Sequence, residues 1–370
     1  MAEVCQEIQE YVRKLRRRLH QVPETGLQLP RTAAFLQEEL KALGIPFRAC
    51  RNSSGIVAEI QGGSGKTVAL RADMDGLPVQ EETGLPWSSE RPGCMHACGH
   101  DAHAAMLLGA ARLLKEKQDT LQGTVRLLFQ PGEETMNGAK SMIREGCMEG
   151  VDAVFGTHIG TLLGDWIPSG TLVAMPGGCL ASTDCFRITI RGKGTHGSMP
   201  EKGVDPIRTA ASVLLGLDGI LSREVPASQA VVLTVGRIAA GETSNVIPET
   251  AVMEGSLRTL DAAVRSFVLA RMEEVVHGLA AAARAEGTLE ILESAPPVVN
   301  DAEMAALAAR AAEKWLPPEQ VWSRPVTPSM VSEDFAWYLQ EAPGAFLLLS
   351  APHPDPQKRA GHHNLSLIHI

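Results

Sequence analysis

No apolar run in this 370-residue sequence approaches the length of a bilayer span, which excludes an α-helical membrane protein. The opening stretch "MAEVCQEIQEYVRKLRRRLHQ" has neither the apolar core nor the cleavage site of a secretory leader. It is expected to be a charged amphipathic helix. Positive charge is not in excess. The net charge of −9 speaks against a nucleic-acid partner, and the run Arg16, Arg17, Arg18 reads as a solvated helix face. Cysteines are few, odd in number and scattered, at 5, 50, 94, 98, 147, 179 and 185. A chain of this length needs no disulfide staples, so they read as mostly buried small residues of a reducing, cytoplasmic protein. Internal repeats and low-complexity segments are missing too. "GKT" at 65–67 lacks the earlier glycine of a phosphate loop, because Ile60 stands in its place.

Hydrophobic residues at 44% and charged residues at 21% are ordinary for a globular protein, and the length allows two domains. Residues 3–20 and 31–43 have helical periodicity. "GIVAEI", "TVALRADMD", "GTVRLLFQPGEE" and "VDAVFGTHIG" read as strands, and "DAHAAMLLGAARLLKE" as a helix over about 101–116. Strands alternating with helices imply a largely parallel sheet. In such sheets chemistry gathers at the carboxyl ends of strands. Asp73, Asp75, Glu133, Glu134 and His158 all fall just after strand-like runs.

The pattern then changes. "TDCFRITIRGKG" alternates like a half-exposed strand. A helix at about 205–222, strands at 229–239 and 250–259, a helix at 261–285 and the strand "TLEILES" follow, in the order βαββαβ. After "APPVV" the first pattern returns, with "AFLLLS" as a buried strand. The expectation is an α/β fold: a mixed, largely parallel sheet with helices on both faces, split over 1–180 and 296–370, and an inserted α+β domain over 181–295.

"CMHACGHDAH" at 94–103 packs three histidines, two cysteines and an aspartate into ten positions. Cys98 and His100 suit either a catalytic Cys–His pair or a metal pair. A nucleophilic cysteine needs a base and an oxyanion hole, not neighbouring carboxylates; a metal site uses them. "GEE" at 132–134 and His158 are unremarkable alone, since acids on a turn usually face solvent and a lone histidine is often just buried. The coincidence carries the metal reading: four groups of ligand type follow successive strand ends that lie side by side. Imidazole, thiolate and carboxylate together suit zinc, manganese, cobalt or nickel, not magnesium or calcium. A closed structural zinc site is disfavoured, because no second C-x-x-C pair follows Cys94 and Cys98. Adjacent glutamates also permit one to bind metal while the other acts as a general base.

"RRRLHQVPETG", "RADMDGLP", "MHACGHDAH", "FQPGEE", "GTH", "GTHGSMPEKGVDP", "NVIPE", "GSLRT" and "SEDFA" occur in one order. Together, from about residue 11 to 364, they resemble the aminoacylase-like metalloamidohydrolases. That family includes hippurate hydrolases, N-acyl-amino-acid and N-acetyl-diaminopimelate deacylases, and hydrolases of auxin–amino-acid conjugates. The resemblance implies a catalytic domain with two divalent transition-metal ions, manganese or zinc first, cobalt or nickel as alternatives, and an inserted lid domain through which the chain forms a homodimer. It implies Cys98, His100, Glu134, His158 and His363 as metal ligands, and Glu133 as general base. Asp75 would support the centre, and His196 would steady the developing oxyanion. Asn245 and Arg258 would hold substrate, a guanidinium suiting a substrate carboxylate. The implied reaction is amide hydrolysis of an N-acyl amino acid, with no nucleic-acid or membrane partner.

A dipeptidase with the same centre is the alternative within the enzyme class. The family pattern continues after the last histidine with roughly "NPxFDFDE" and a further helix, whereas here "HHN" is followed by "LSLIHI". That departure raises a second alternative, a metal-binding but inactive protein.

Overall fold

Helical periodicity near the N-terminus becomes α1, Ala2–His20, and α2, Pro30–Ala42. Glu24 Oε2 accepts bonds from Arg31 N at 3.0 Å and Thr32 N at 2.9 Å, satisfying backbone donors that the first turn of α2 cannot. The computed structural model describes residues 2–359 and 361–364. The departure from the family pattern after Asn364 lies outside the described residues. By contacts the chain divides into two units. The first is Met1–Cys179 with Val299–Ser329 and Asp334–Ile370; the second is Leu180–Val298 with Met330–Glu333.

The first unit holds an eight-stranded sheet. Its order is Phe47–Ala49, Ile56–Gln61, Gln122–Gln130, Gly63–Asp73, Ala153–Gly160, Gly344–Ser350, Leu172–Val173 and Val321–Trp322. The four strands from Gln122–Gln130 to Gly344–Ser350 run parallel to one another, and antiparallel pairs flank them. Helices α3 (His100–Glu116), α4 (Gly138–Arg144) and α7 (Ala302–Ala312) complete this layer arrangement. Phe155 and Thr157 line a cavity with residues of α3 and α7, while Gly156 between them faces Phe335. Successive strand residues point to opposite faces, so both faces of the sheet are covered. One apolar core joins Leu15 and Leu19 of α1, Leu36 and Leu40 of α2, Leu108 of α3 and Phe129 of the sheet. The sheet is therefore mixed with a parallel centre, as the alternation of strands and helices predicts.

The second unit is an antiparallel sheet in the order Val231–Ala240, Thr250–Thr259, Thr183–Arg191 and Glu286–Ala295. Helices α5 (Pro206–Arg223) and α6 (Ala262–Ala282) start at Asp205 and Asp261, whose carboxylates accept backbone N–H bonds of the first turn. Phe186, Ile188 and Ile190 alternate along their strand and are buried with Val213, Leu217, Met272 and Val276 of these helices. One short return segment, Met330–Glu333, groups with this unit, although the boundaries drawn from sequence put it in the first. Ala181 N donates to Val331 O at 2.9 Å, and Arg258 Nη1 to Met330 O at 3.1 Å. Four residues are too few to show a periodicity. Among the described residues no helix is long and apolar enough to cross a membrane.

Candidate metal centre

The turn before α3 decides where two of the candidate ligands point. Gly99 occupies the position ahead of the first helical residue with φ of +105°, a conformation that side chains with a β-carbon rarely adopt. This lets Cys98 and His100 flank a sharp reversal with both side chains buried. His100 Nδ1 donates to Asp75 O at 2.9 Å, which leaves Nε2 as the nitrogen available to a cation. That nitrogen has no hydrogen-bond partner and is buried.

Asp75 also shapes the acidic turn. Its two carboxylate oxygens accept from Glu133 N and Glu134 N, each at 3.1 Å. The adjacent glutamates are thereby held with both carboxylates toward His100 Nε2, at 3.9 Å from Glu133 Oε2 and 3.9 Å from Glu134 Oε1. Burial raises the pKa of Asp75. For Glu134 burial acts the same way, but His363 and His100 beside it outweigh that and hold the carboxyl below its usual range. Glu134 Oε1 is nevertheless buried without a hydrogen-bond partner.

His158 closes the group from the end of its strand. Nδ1 lies 2.7 Å from Ile159 O and must donate there, so Nε2 carries the lone pair, 3.4 Å from Cys98 Sγ. Burial drives this imidazole well below its ordinary pKa, into the neutral form a metal needs. His363 Nε2 stands 3.4 Å from Glu134 Oε2, and bonds to Cys98 and Glu134 raise its pKa to about 10. Burial pushes the Cys98 thiol up, which counts against an unassisted thiolate nucleophile.

Ligand-type atoms lie within 4.8 Å of one another in the sets Cys98–His100–His158, Cys98–Glu134–His363 and His100–Glu133–Glu134. Cys98, His100 and Glu134 each belong to two of these sets, so the three sets form one continuous cluster of ligand-type atoms. The donors fit a transition metal. His100 Nε2 and Glu134 Oε1 face each other at 3.9 Å, both buried and both unpaired. Each would cost about 1–3 kcal/mol if left that way, and one cation between them would satisfy both.

Two participants, His103 and His362, escaped the sequence reading, and Asp73, placed there at a strand end, was given no task. His103 Nδ1 bonds Asp73 Oδ1 at 2.5 Å, and its Nε2 accepts from Ile159 N at 2.9 Å, so it steadies the strand end beside His158 with both nitrogens engaged. Asp73 also takes Arg71 Nη1 at 2.6 Å. Burial works against its charge, but Arg71, His100 and His103 hold its pKa well below the usual range. His362 accepts from Thr161 N at 3.0 Å through Nε2, and its Nδ1 lies 3.7 Å from Cys98 Sγ. "RAD", "HDAH" and the doubled "HH" were the available signals.

The remaining candidates belong to the second unit. His196 pairs with Val246 in a two-stranded ladder, and its Nδ1 accepts from Ser198 N at 3.2 Å. Asn245 lies against the same segment, its backbone oxygen taking Gly197 N at 2.7 Å and its side-chain oxygen taking Thr243 Oγ1 at 3.0 Å. Both His196 and Asn245 are exposed. Arg258 spends Nη1 on Met330 O and Ser332 Oγ, each at 3.1 Å.

The model of the peptidase family M20/M25/M40 matches residues 69–366. The chain belongs to that family. It is 43% identical over 333 residues to an N-acetyl-L-cysteine deacetylase of Bacillus subtilis (strain 168), covering 90% of this chain and 78% of that protein. It is 37% identical to IAA-amino acid hydrolase ILR1-like 5 of Arabidopsis thaliana, over 95% of this chain and 80% of the relative. The crystal structure of the Bacillus subtilis YXEP protein, a dinuclear metal-binding peptidase from the M20 family, superposes with a TM-score of 0.81 at 33% identity, over 98% of this chain and 92% of that one. The family and the buried ligand sets together make this chain a metal-dependent amidohydrolase.

Proposed function

We propose that the enzyme hydrolyses the amide bond of N-acyl amino acids, releasing a carboxylate and a free amino acid. The observation that carries this reading is the pair of unpaired buried atoms, His100 Nε2 and Glu134 Oε1, beside a second carboxylate, Glu133. The names of the relatives support the substrate class: a deacetylase of N-acetylcysteine and a hydrolase of IAA–amino-acid conjugates.

In this proposal Cys98, His100, Glu134, His158 and His363 hold two divalent ions, manganese or zinc, with cobalt and nickel as alternatives. Bound there, such ions supply Lewis acidity toward a carbonyl oxygen and acidify water. Glu133 takes the proton of the attacking water and returns it to the leaving amine. Asp75 holds the acidic turn through its two backbone bonds, so the two glutamates keep separate tasks. His196 steadies the oxyanion, and Asn245 and Arg258 hold the amino-acid part of the substrate. The second unit serves as the dimerising domain. A thiolate among the ligands suits a reducing compartment, so we place the enzyme in the cytoplasm.

A dipeptidase with the same centre is the competing reading, and a relative at 37% identity, thermostable carboxypeptidase 1 of Saccharolobus solfataricus, is named for action on peptides. The deciding experiment measures turnover on a panel of N-acyl amino acids and dipeptides, with added manganese, zinc, cobalt or nickel and with metal content determined. Turnover of N-acyl amino acids above dipeptides is the expected result. Turnover confined to dipeptides, or metal bound without turnover, would overturn the proposal.

A further inference from the structure

"RRRLHQVPETG" is part of the resemblance but has no role in the reaction just described. In the structure two of its residues, Arg16 and His20, bond to Asp101 beside the candidate ligand His100. Arg16 and His20 sit one helical turn apart at the end of α1. Arg16 Nε donates to Asp101 Oδ2 at 2.8 Å, and His20 Nδ1 donates to the same oxygen at 2.7 Å. The other nitrogen of His20 donates to Glu81 Oε1 at 3.3 Å. Burial works against the charge on His20, but Asp101 and Glu81 outweigh it and raise its pKa to about 9.

The places of these two acids in the chain matter. Asp101 directly follows His100 in the first turn of α3. Glu81 lies in the loop that leads to Cys98, and it grips that loop by accepting from Ser89 N at 2.6 Å. One imidazolium therefore ties the helix bearing His100 to the loop delivering Cys98. The turn between them also anchors a third candidate ligand, because His363 N donates to Ala97 O at 2.9 Å. The clamp is closed to water: side-chain exposure is 13% for Arg16, 1% for His20, 2% for Glu81 and 0% for Asp101.

We propose that Arg16, His20 and Asp101 are positioning residues for the metal centre, fixing the turn Ala97–His100 so that Cys98 and His100 address the same ion. They touch neither ion nor substrate. The inference rests on the metal-centre reading above, and it competes with a bland one, that a buried charge network stabilises the fold and nothing more.

The test uses the full chain with metal removed. Asp101→Asn keeps the shape of the side chain and removes its charge. Manganese and zinc affinities are measured by competition with a chromophoric chelator, alongside thermal unfolding of the metal-free form. The positioning role requires affinity to fall about ten- to a hundredfold, with kcat recovering at high metal and KM for the substrate unchanged. Loss of thermal stability with wild-type metal affinity would show a purely structural clamp and overturn the inference. Should Asp101→Asn fail to fold, Arg16 gives a milder test at the edge of the clamp. Arg16→Gln is then expected to weaken metal binding by up to about tenfold, and Arg16→Lys to restore it; equal affinity in all three proteins would overturn the proposal. If the wild-type chain itself binds no metal, the metal-centre reading falls and this inference with it, and that outcome is visible in the wild-type arm alone.

Discussion

Cys98, His100, Glu133 and His158 in the first unit are buried among one another, whereas His196 and Asn245 in the second are exposed, on two segments that pair in a short ladder. Buried polar groups are normally hydrogen-bonded, so the unpaired His100 Nε2 and Glu134 Oε1 call for something the chain alone does not supply. Exposed groups make no such demand. In the first unit, then, two missing bonds mark where a cation would fit. For the exposed set, only reactivity can decide.

The sharpest way to break this contrast is to remove one glutamate at a time. Glu133→Gln is expected to retain metal and lose about 10²–10⁴-fold in turnover. Glu134→Gln is expected to lose metal as well, an amide being a poorer ligand than a carboxylate. Metal analysis beside kcat separates the two, and equal metal loss in both variants would contradict separate tasks.

His196→Ala tests the exposed set. Turnover should drop about 10²–10³-fold with metal content intact. Mixing this variant with Glu133→Gln subunits should recover some activity if His196 acts across a dimer. No recovery after verified subunit exchange would favour action within one subunit, and unchanged turnover in His196→Ala itself would remove the residue from the mechanism.

A smaller effect is expected from Gly99→Ala. At φ of +105° an added β-carbon strains the turn by about 1–3 kcal/mol. The unfolding midpoint of the metal-free protein should fall by a corresponding amount, and metal retention should fall with it. A midpoint at the wild-type value would mean that the turn is less constrained than its geometry indicates.

The smallest effect concerns pH. His20 has its folded pKa raised from 6.5 to about 9. Its contribution to the stability of the metal-free protein is therefore complete below 6.5 and is lost as pH rises through 9. Urea midpoints measured across that window should decline with pH, and the decline should be shallower in His20→Gln. Parallel slopes in both proteins would assign the pH dependence to other groups.

The legible part of this molecule follows from strand ends. Asp75, Glu133 and His158 terminate apolar runs, and parallel neighbours bring such ends together whatever the loops do. The alternation of "TDCFRITIRGKG" was legible too, and Phe186, Ile188 and Ile190 are the buried face of that strand. Strands of two or three residues, Phe47–Ala49, Leu172–Val173 and Val321–Trp322, are too short to show any period. Adjacent His362 and His363 illustrate another limit. His363 has a positive φ of 66°, so the chain reverses there and aims the two rings differently, one toward Thr161 N and one toward Glu134. Spacing alone does not reveal which ring goes where. Asp73 and His103 satisfy one another, a pairing of residues thirty positions apart that no local pattern announces.

The most direct measurement is anomalous diffraction from crystals of the full chain loaded with manganese or zinc. Two anomalous peaks are expected among Cys98, His100, Glu134, His158 and His363, and both should weaken together in Cys98→Ser. A single peak, none, or a pair located away from Cys98 would contradict a two-ion centre built from these residues.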